Sequence, residues 1–377
     1  MVRAHNPGPD LYWFNPLCDL AAGRGALFEP RLAVRALGDD LAMVPALLAV
    51  ADDIVVVAQR PSDCFLQMLQ AAGLQVPELI VWDPLAGGLP DELSARKLTD
   101  LRPWGWAPDS VTALTPLAGQ LPGGTTHPSL RWHAARRQLY TKTWSAAWLA
   151  EIIDDLRVME GIWICDADVV GTSCGSQKEA AQALTTGFAA GWTRAVIKAD
   201  FGAAGGQQLI VSAADLAQYQ QHWLLRILRE AGRVVIEPWL DRQLDLSAQY
   251  EVDDSGCLRL LGITRFVTDS RGRFQGVFVH DMAGDLTNEM KRFIYGAGCD
   301  DRRLRQLFAR IGDSLQARLP PDFRGPLGID AFVYRDAADG ELRLKPIVEL
   351  NPRFTMGRVA LALARRVVAE CTAMWRV

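Results

Sequence analysis

Short apolar runs alternate with stretches of helical spacing in the first part of the chain. Leu11 to Phe14 is followed by a helix expected from Asp39 to Ala51, then Ile54 to Val57, a helix from Ser62 to Ala72, and Leu79 to Val81. Brief apolar runs bounded by polar residues fit buried strands, and strands separated by helices imply parallel pairing with helices on the faces. This βαβαβ order predicts a small parallel sheet. Asn15-Pro16 closes its first strand, and Asp19 and Gly23 follow in the loop past the strand's carboxyl end, where parallel sheets bind ligands. A plain Asx-Pro turn accounts for the same residues.

From Asp83 to Pro128 periodicity fades into Pro, Gly and Trp, which reads as an irregular connection. Helices are expected from Ser129 to Tyr140 and from Thr143 to Leu156, with Lys142 at their junction. Ser176 and Glu179 have the spacing of a capping box at the start of another helix. Strand patterns then return: Arg194 to Asp200, a glycine-rich turn at Gly202, Gly205 and Gly206, and Gln207 to Val211. Val234 to Leu240 runs into Glu237-Pro238, and Asp245, Ser247 and Gln249 share one face of a following strand. Leu327 to Val333 carries Asp330, and a turn at Asp336 to Gly340 leads into Leu344 to Arg353. Strand side chains alternate, so Glu349, Asn351 and Arg353 are expected on one face, with Asp330 brought near by the hairpin.

Composition narrows the class. The 377 residues carry a formal net charge of -4, with 22% charged and 49% hydrophobic residues, as in ordinary globular proteins large enough for two or three structural units. No basic tract invites nucleic acid. The start lacks an apolar h-region, and Leu41 to Ala58 is broken by Pro45, Asp52 and Asp53, so neither a signal peptide nor a membrane span is expected. The seven cysteines are scattered and never spaced C-x-x-C, which favours reduced thiols in a cytoplasmic protein and no zinc site. The five histidines are equally dispersed.

Asp330, Glu349 and Asn351 are hard oxygen donors of the kind Mg²⁺ prefers, and Arg353 is suited to phosphate; a polar sheet face is the plainer reading. Lys198 before three glycines can present an ammonium and backbone N–H groups to polyphosphate, or it forms a hairpin with a solvated lysine. Neither the Walker pattern nor the dinucleotide G-x-G-x-x-G is present. A strand end at Glu237-Pro238 can place backbone groups against an adenine edge, although such ends are common.

In their order and spacing, these features resemble the ATP-grasp superfamily. The likeness covers residues 129 to 360, and the preceding βαβαβ unit looks like the domain that precedes the ATP-grasp core in such enzymes. The resemblance implies an α/β chain, α+β in its C-terminal part. A small parallel-sheet domain (1–128) would precede a two-lobed ATP-grasp domain (129–377), with lobes at about 160–236 and 237–377 and the nucleotide cleft between antiparallel sheets. It implies ATP as cosubstrate with Mg²⁺, or Mn²⁺ in its place. Lys142 and Lys198 would contact phosphates under a flap of Gly202, Gly205 and Gly206. Glu237, Trp239 and Leu240 would form the adenine hinge, and Asp245 would take the ribose. Asp330, Glu349 and Asn351 would hold metal, and Arg353 with Lys198 would act at the reacting phosphate. Asp245 stands eight residues after Glu237, one more than in many members, and Arg324 lies further upstream of the metal carboxylate than the arginine many ligases carry.

The expected activity is ADP-forming ligation of a carboxylate to an amine, such as an amino acid or small peptide, through an acyl phosphate. A phosphotransferase and a non-catalytic MgATP-binding module are the alternatives, and a homodimer is compatible with either. Arg265 and Arg273, flanking a turn at Asp269 to Gly272, could grip a substrate carboxylate or be solvated. His280-Asp281 and the tryptophans Trp104, Trp106, Trp132, Trp144 and Trp148 are open between a substrate role and a structural one.

Overall fold

The computed structural model describes residues 8–25, 32–202, 207–279, 282–296, 298, 300–366 and 373–376. Gly205 and Gly206 of the expected flap, and the His280-Asp281 step, lie outside them. The chain forms two compact units: one of residues 1–137, 320–325 and 353–355, the other of 138–319, 326–352 and 356–377.

The first unit holds a four-stranded parallel sheet of β1 (Asp10–Trp13), β2 (Ile54–Val57), β3 (Glu78–Val81) and β4 (Asp100–Pro103), in the order β3-β2-β1-β4. β1 and β2 are buried throughout, as parallel strands covered on both faces must be. The helix expected from Ser62 spans Asp63–Ala71, and the Ser62 hydroxyl accepts from Phe65 N at 3.3 Å.

The helix expected from Asp39 to Ala51 does not form. A helix at Leu32–Asp40 precedes a 3₁₀ turn at Val44–Leu47 instead. Pro45 has no N–H and a fixed φ, so it suits the first turn of a short helix and not the interior of a long one. β4 lies within the segment expected to be irregular. It is an edge strand, where Pro103 breaks no inner ladder, and Arg102 Nε ties it to Asp10 at 2.8 Å. The helix expected from Ser129 to Tyr140 is divided into a 3₁₀ turn at Pro128–Leu130 and a short helix at Ala134–Gln138. Trp104 packs edge-on against Phe14, with ring centroids 4.8 Å apart, and lies near Phe354, which fits a core role.

The second unit contains two sheets. β5 (Thr172–Cys174), β6 (Ala195–Ala199), β7 (Gln208–Val211) and β8 (Val234–Pro238) form an antiparallel sheet in the order β5-β8-β6-β7. Helices Gln177–Ala189 and Gln218–Ala231 cover it through a core that includes Leu184, Ile197, Leu224, Ile227 and Ile236. The first is capped as its sequence predicts: Ser176 accepts from Glu179 N, while the Glu179 carboxylate reaches back to Gly175 N at 2.7 Å, one residue before the usual partner.

The larger sheet has six strands: β9 (Asp241–Val252), β10 (Leu258–Thr268), β11 (Phe274–Phe278), β12 (Gly325–Arg335), β13 (Leu342–Asn351) and β14 (Met374–Arg376). Their order is β13-β12-β9-β10-β11-β14. Helix Arg302–Gln316 packs on β10 and buries Leu304, Leu307, Phe308, Ile311 and Leu315, the spacing of one helical face. Helix Lys142–Glu160 packs along β13, where Ser145 Oγ accepts from Leu350 N at 3.0 Å. Trp148 in this helix is buried and donates to Ser314 Oγ at 3.1 Å, again a core role. Among the described residues, no helix is long and apolar enough to cross a membrane.

Candidate functional site

The strongest concentration of buried charge lies in the second unit. Lys198, the expected phosphate lysine, is on the central strand β6, and Glu237 is on its neighbour β8. The register sets Val196 opposite Glu237, so Lys198 reaches the carboxylate diagonally and forms an ion pair with Oε1. The other oxygen accepts from Lys345 of β13 at 2.7 Å, and Lys345 Nζ also donates to Val169 O at 2.9 Å. Both lysines are almost fully buried, with Lys345 only 2% exposed.

Burial pushes Lys198 down to about 8; the Glu237 charge resists this, and the Lys345 ammonium adds to it. Burial would raise Glu237, but its two ammonium partners outweigh that and hold it at about 2. Two ammoniums and one carboxylate leave an excess positive charge in a setting with little water. Such a charge is costly alone and is satisfied by an anion.

Lys142 extends this cluster. As the first residue of its helix, after the N-cap Thr141, it donates from Nζ to Gly202 O at 2.9 Å and pairs with Glu349 at 2.8 Å. Asp200 fixes the start of the helix, its carboxylate accepting from Thr143 N and its carbonyl from Lys142 N. An acid at a helix N-terminus is favoured by the exposed N–H groups and the dipole. Lys142, Lys198, Glu237 and Lys345 line one narrow cavity with Val235 and Ile347.

On β12 and β13, Asp330 is directly opposite Glu349, and Asn351 follows Glu349 on the same face. Asn351 Nδ2 donates to Asp330 Oδ2 at 3.0 Å. Ser247 Oγ donates to Oδ1 at 2.6 Å, and Gln249 Nε2 donates in turn to Ser247 at 2.8 Å. Two carboxylates facing each other repel unless a cation intervenes. The donor set is all oxygen once the Asn351 carbonyl is counted, which fits Mg²⁺ or Mn²⁺ and excludes a soft metal. Among the described residues, no cluster of three or more His, Cys, Asp or Glu is arranged to hold a metal, so any cation here relies on the amide and on ligand oxygens.

Arg353 departs from the expected shared face. β13 ends at Asn351 because Pro352 offers no N–H to continue the ladder, and Arg353 belongs to the first unit. There it bridges to Gly105 through the backbone and pairs with Asp19 at 2.7 Å. Asn15 binds Gly105 through both amide atoms, Nδ2 to the carbonyl at 2.8 Å and Oδ1 from the N–H at 3.2 Å. Asn15 is thereby tied to Gly105, and Asp19, which lies in the first turn of helix Cys18–Arg24 and not in the expected loop, is tied to Arg353.

Trp239, Leu240 and Asp245 sit together around a second cavity, of about 500 Å³. Asp245 accepts from Thr268 Oγ1 at 2.7 Å and pairs weakly with Arg242 at 3.4 Å; burial raises its pKa more than Arg242 lowers it. Arg273 closes the adjacent turn on Asp269 at 2.7 Å and is half-exposed, whereas Arg265 is buried.

Sequence reasoning missed Lys345 and Asp200. Lys345 had a signal, since the alternation that pairs Glu349 with Asn351 also includes Lys345 four residues earlier in an apolar strand.

No protein-family model matches the chain, and no curated protein matches it in sequence. Solved structures give weak likenesses. An N5-carboxyaminoimidazole synthetase from Staphylococcus aureus complexed with ADP is 12% identical over 92% of this chain and 71% of its own, with a TM-score of 0.45. D-alanyl-alanine synthetase A from Vibrio cholerae is 14% identical over 93% of this chain and 90% of its own, with a TM-score of 0.46. A pyruvate carboxylase from Rhizobium etli is 14% identical over 94% of this chain and 27% of its own, with a TM-score of 0.49.

Proposed function

We propose that the chain is an ATP-dependent ligase of the ATP-grasp type, which activates a carboxylate as an acyl phosphate and joins it to an amine, releasing ADP and phosphate. The observation that carries this reading is the buried charge assembly of the second unit. Lys142, Lys198 and Lys345 converge around Glu237 and Glu349, and Asp330 with Asn351 supplies further oxygens. Such an assembly suits a triphosphate and its divalent cation.

In this reading Lys142 and Lys198 bind phosphate oxygens, and Lys345 positions them by holding Glu237. Glu237, Trp239 and Leu240 border the adenine, and Asp245 takes the ribose. Asp330, Glu349 and Asn351 would hold Mg²⁺, which would supply charge neutralisation at the phosphates. The substrate carboxylate attacks the γ-phosphorus, ADP leaves, and the amine displaces phosphate from the acyl carbon while its proton passes to solvent. Attack of an anion on an anion needs positive charge already in place, and the lysines supply it without acting as bases. Gly202, the described glycine of the expected phosphate turn, accepts from Lys142 Nζ through its carbonyl at 2.9 Å.

The test is incubation with MgATP and pools of carboxylates and amines, reading nucleotide product and new masses. ADP formation dependent on both a carboxylate and an amine is expected; AMP would sink the acyl-phosphate route, and a stable phosphorylated product would mark a phosphotransferase. Glu349→Gln and Asn351→Ala are expected to lower metal-dependent ADP formation at least about a hundredfold, with melting temperature nearly unchanged.

A further inference from the structure

Arg265 of β10 is 3% exposed and lines the cavity of about 500 Å³. Its Nη1 pairs with Asp285 Oδ1 at 2.6 Å, and Phe278 lies beneath the guanidinium with its ring centroid 3.6 Å from Cζ. Nε and Nη2 are both buried and have no hydrogen-bond partner among the described residues. These two atoms form one edge of the guanidinium, with parallel N–H groups spaced to meet the two oxygens of a carboxylate. Native folds leave few buried donors unmet, and a charged one is the costliest to leave. An unmet buried fork on a side chain that lines a cavity therefore points to an acceptor from outside the chain.

The surroundings narrow its chemistry. Four aspartates and three arginines line the cavity, a balance that disfavours a dianion such as a phosphate monoester. Phe266, Phe278, Leu244, Leu286 and Trp239 supply apolar wall. Arg265 pairs in register with Leu246, and its neighbour Phe266 with Asp245, so pleat alternation turns Arg265 and Asp245 to opposite faces of the sheet. The arginine thus addresses a different part of the cavity from the residue proposed to take ribose.

From this geometry we infer that the cavity is a binding site for an organic monocarboxylate with an apolar body, held bidentately by the Nε and Nη2 edge of Arg265. The site does not require the nucleotide reading to be correct.

Titration calorimetry on the full chain with 3-phenylpropionate and 4-methylpentanoate, each against its primary amide, tests it. The acid is expected to bind at least about tenfold more tightly than its amide, as one charge-assisted bidentate contact implies. Arg265→Lys keeps the charge but loses the fork, and is expected to shrink that preference to about threefold or less while MgADP affinity stays within about twofold. Equal binding of acid and amide by the unsubstituted protein would overturn the inference whether or not the variant folds. Inorganic phosphate displacing the acids at comparable concentration would overturn it too, since the site would then be selecting phosphate. Loss of MgADP binding by the unsubstituted protein would count against the ligase proposal alone.

Discussion

At the scale of single residues, the Lys198, Glu237 and Lys345 trio makes stability and ligand binding respond oppositely to pH. Lys198 in the folded chain has a pKa of about 8, below that of an unfolded lysine. Between about 8 and the ordinary lysine range of about 10.4, the unfolded chain holds the extra proton. Stability is therefore expected to rise with pH across that window, by on the order of 3 kcal/mol when complete. Affinity for MgADP should fall over the same range as the site loses its excess charge. Lys345→Met removes a like charge beside Lys198, so the inflection in MgADP affinity should move to higher pH; titrations from pH 6.5 to about 9.5 would resolve both effects. An inflection that does not move would show that the two ammoniums are not coupled. At the acid end the sign is the same: Glu237 is held at about 2, so its contribution is present above the ordinary carboxylate range and is lost as pH falls towards that value.

At the scale of elements, glycine lets strands approach where the charged groups meet. A Cβ on Gly171 would come within 2.4 Å of Val235 Cγ1 and 3.3 Å of Glu237 Oε2, so the backbone ahead of β5 lies against β8 only because no side chain intervenes. Gly171→Ala is expected to cost about 1–3 kcal/mol by overpacking, read from denaturant midpoints, and to weaken MgADP binding by displacing Glu237. Full retention of both properties would mean the strands yield at no cost. A second close approach occurs at Gly357, where a Cβ would meet Gln249 Nε2 at 2.5 Å and Thr264 Oγ1 at 2.6 Å, setting helix Met356–Leu363 on the polar face of β9 and β10.

Elements whose pattern is purely local were legible in the sequence. Ser62 and Ser176 cap the expected helices, and the hairpin of β12 and β13 brings Asp330, Glu349 and Asn351 together as alternation requires. What escaped depends on partners distant in the chain. β4 has only two fully buried residues and becomes a strand because β1 offers it a ladder, and Lys345 gains meaning only when Glu237, 108 residues away, takes its proton donor. Arg353 was misplaced because alternation was carried across Pro352, where the ladder stops.

At the scale of the whole molecule, the first unit is assembled from three separate stretches of chain. Residues 320–325 return Asp322, whose carboxylate meets His133 at 3.1 Å and whose carbonyl accepts from Arg136; residues 353–355 return Arg353 to Asp19 and Phe354 to Trp104. A fragment of residues 138–377 would leave Asp322, Arg353 and Phe354 without those partners. It is expected to be more prone to self-association than the full chain, measured by light scattering at matched concentration. A monodisperse, fully folded fragment would show that the returning stretches contribute little.

Those returns also order events during synthesis. The contact between Asp19 and Arg353 spans 334 positions, so the first unit's sheet can pair its four strands early but must wait for Arg353 to leave the ribosome before its last contacts close. At about 5–20 residues per second, synthesis of that span takes roughly seventeen to sixty-seven seconds. Throughout it, the surfaces that later receive Arg353 and Phe354 are open to the cell's chaperones, and a stalled or truncated nascent chain would carry them exposed to the end.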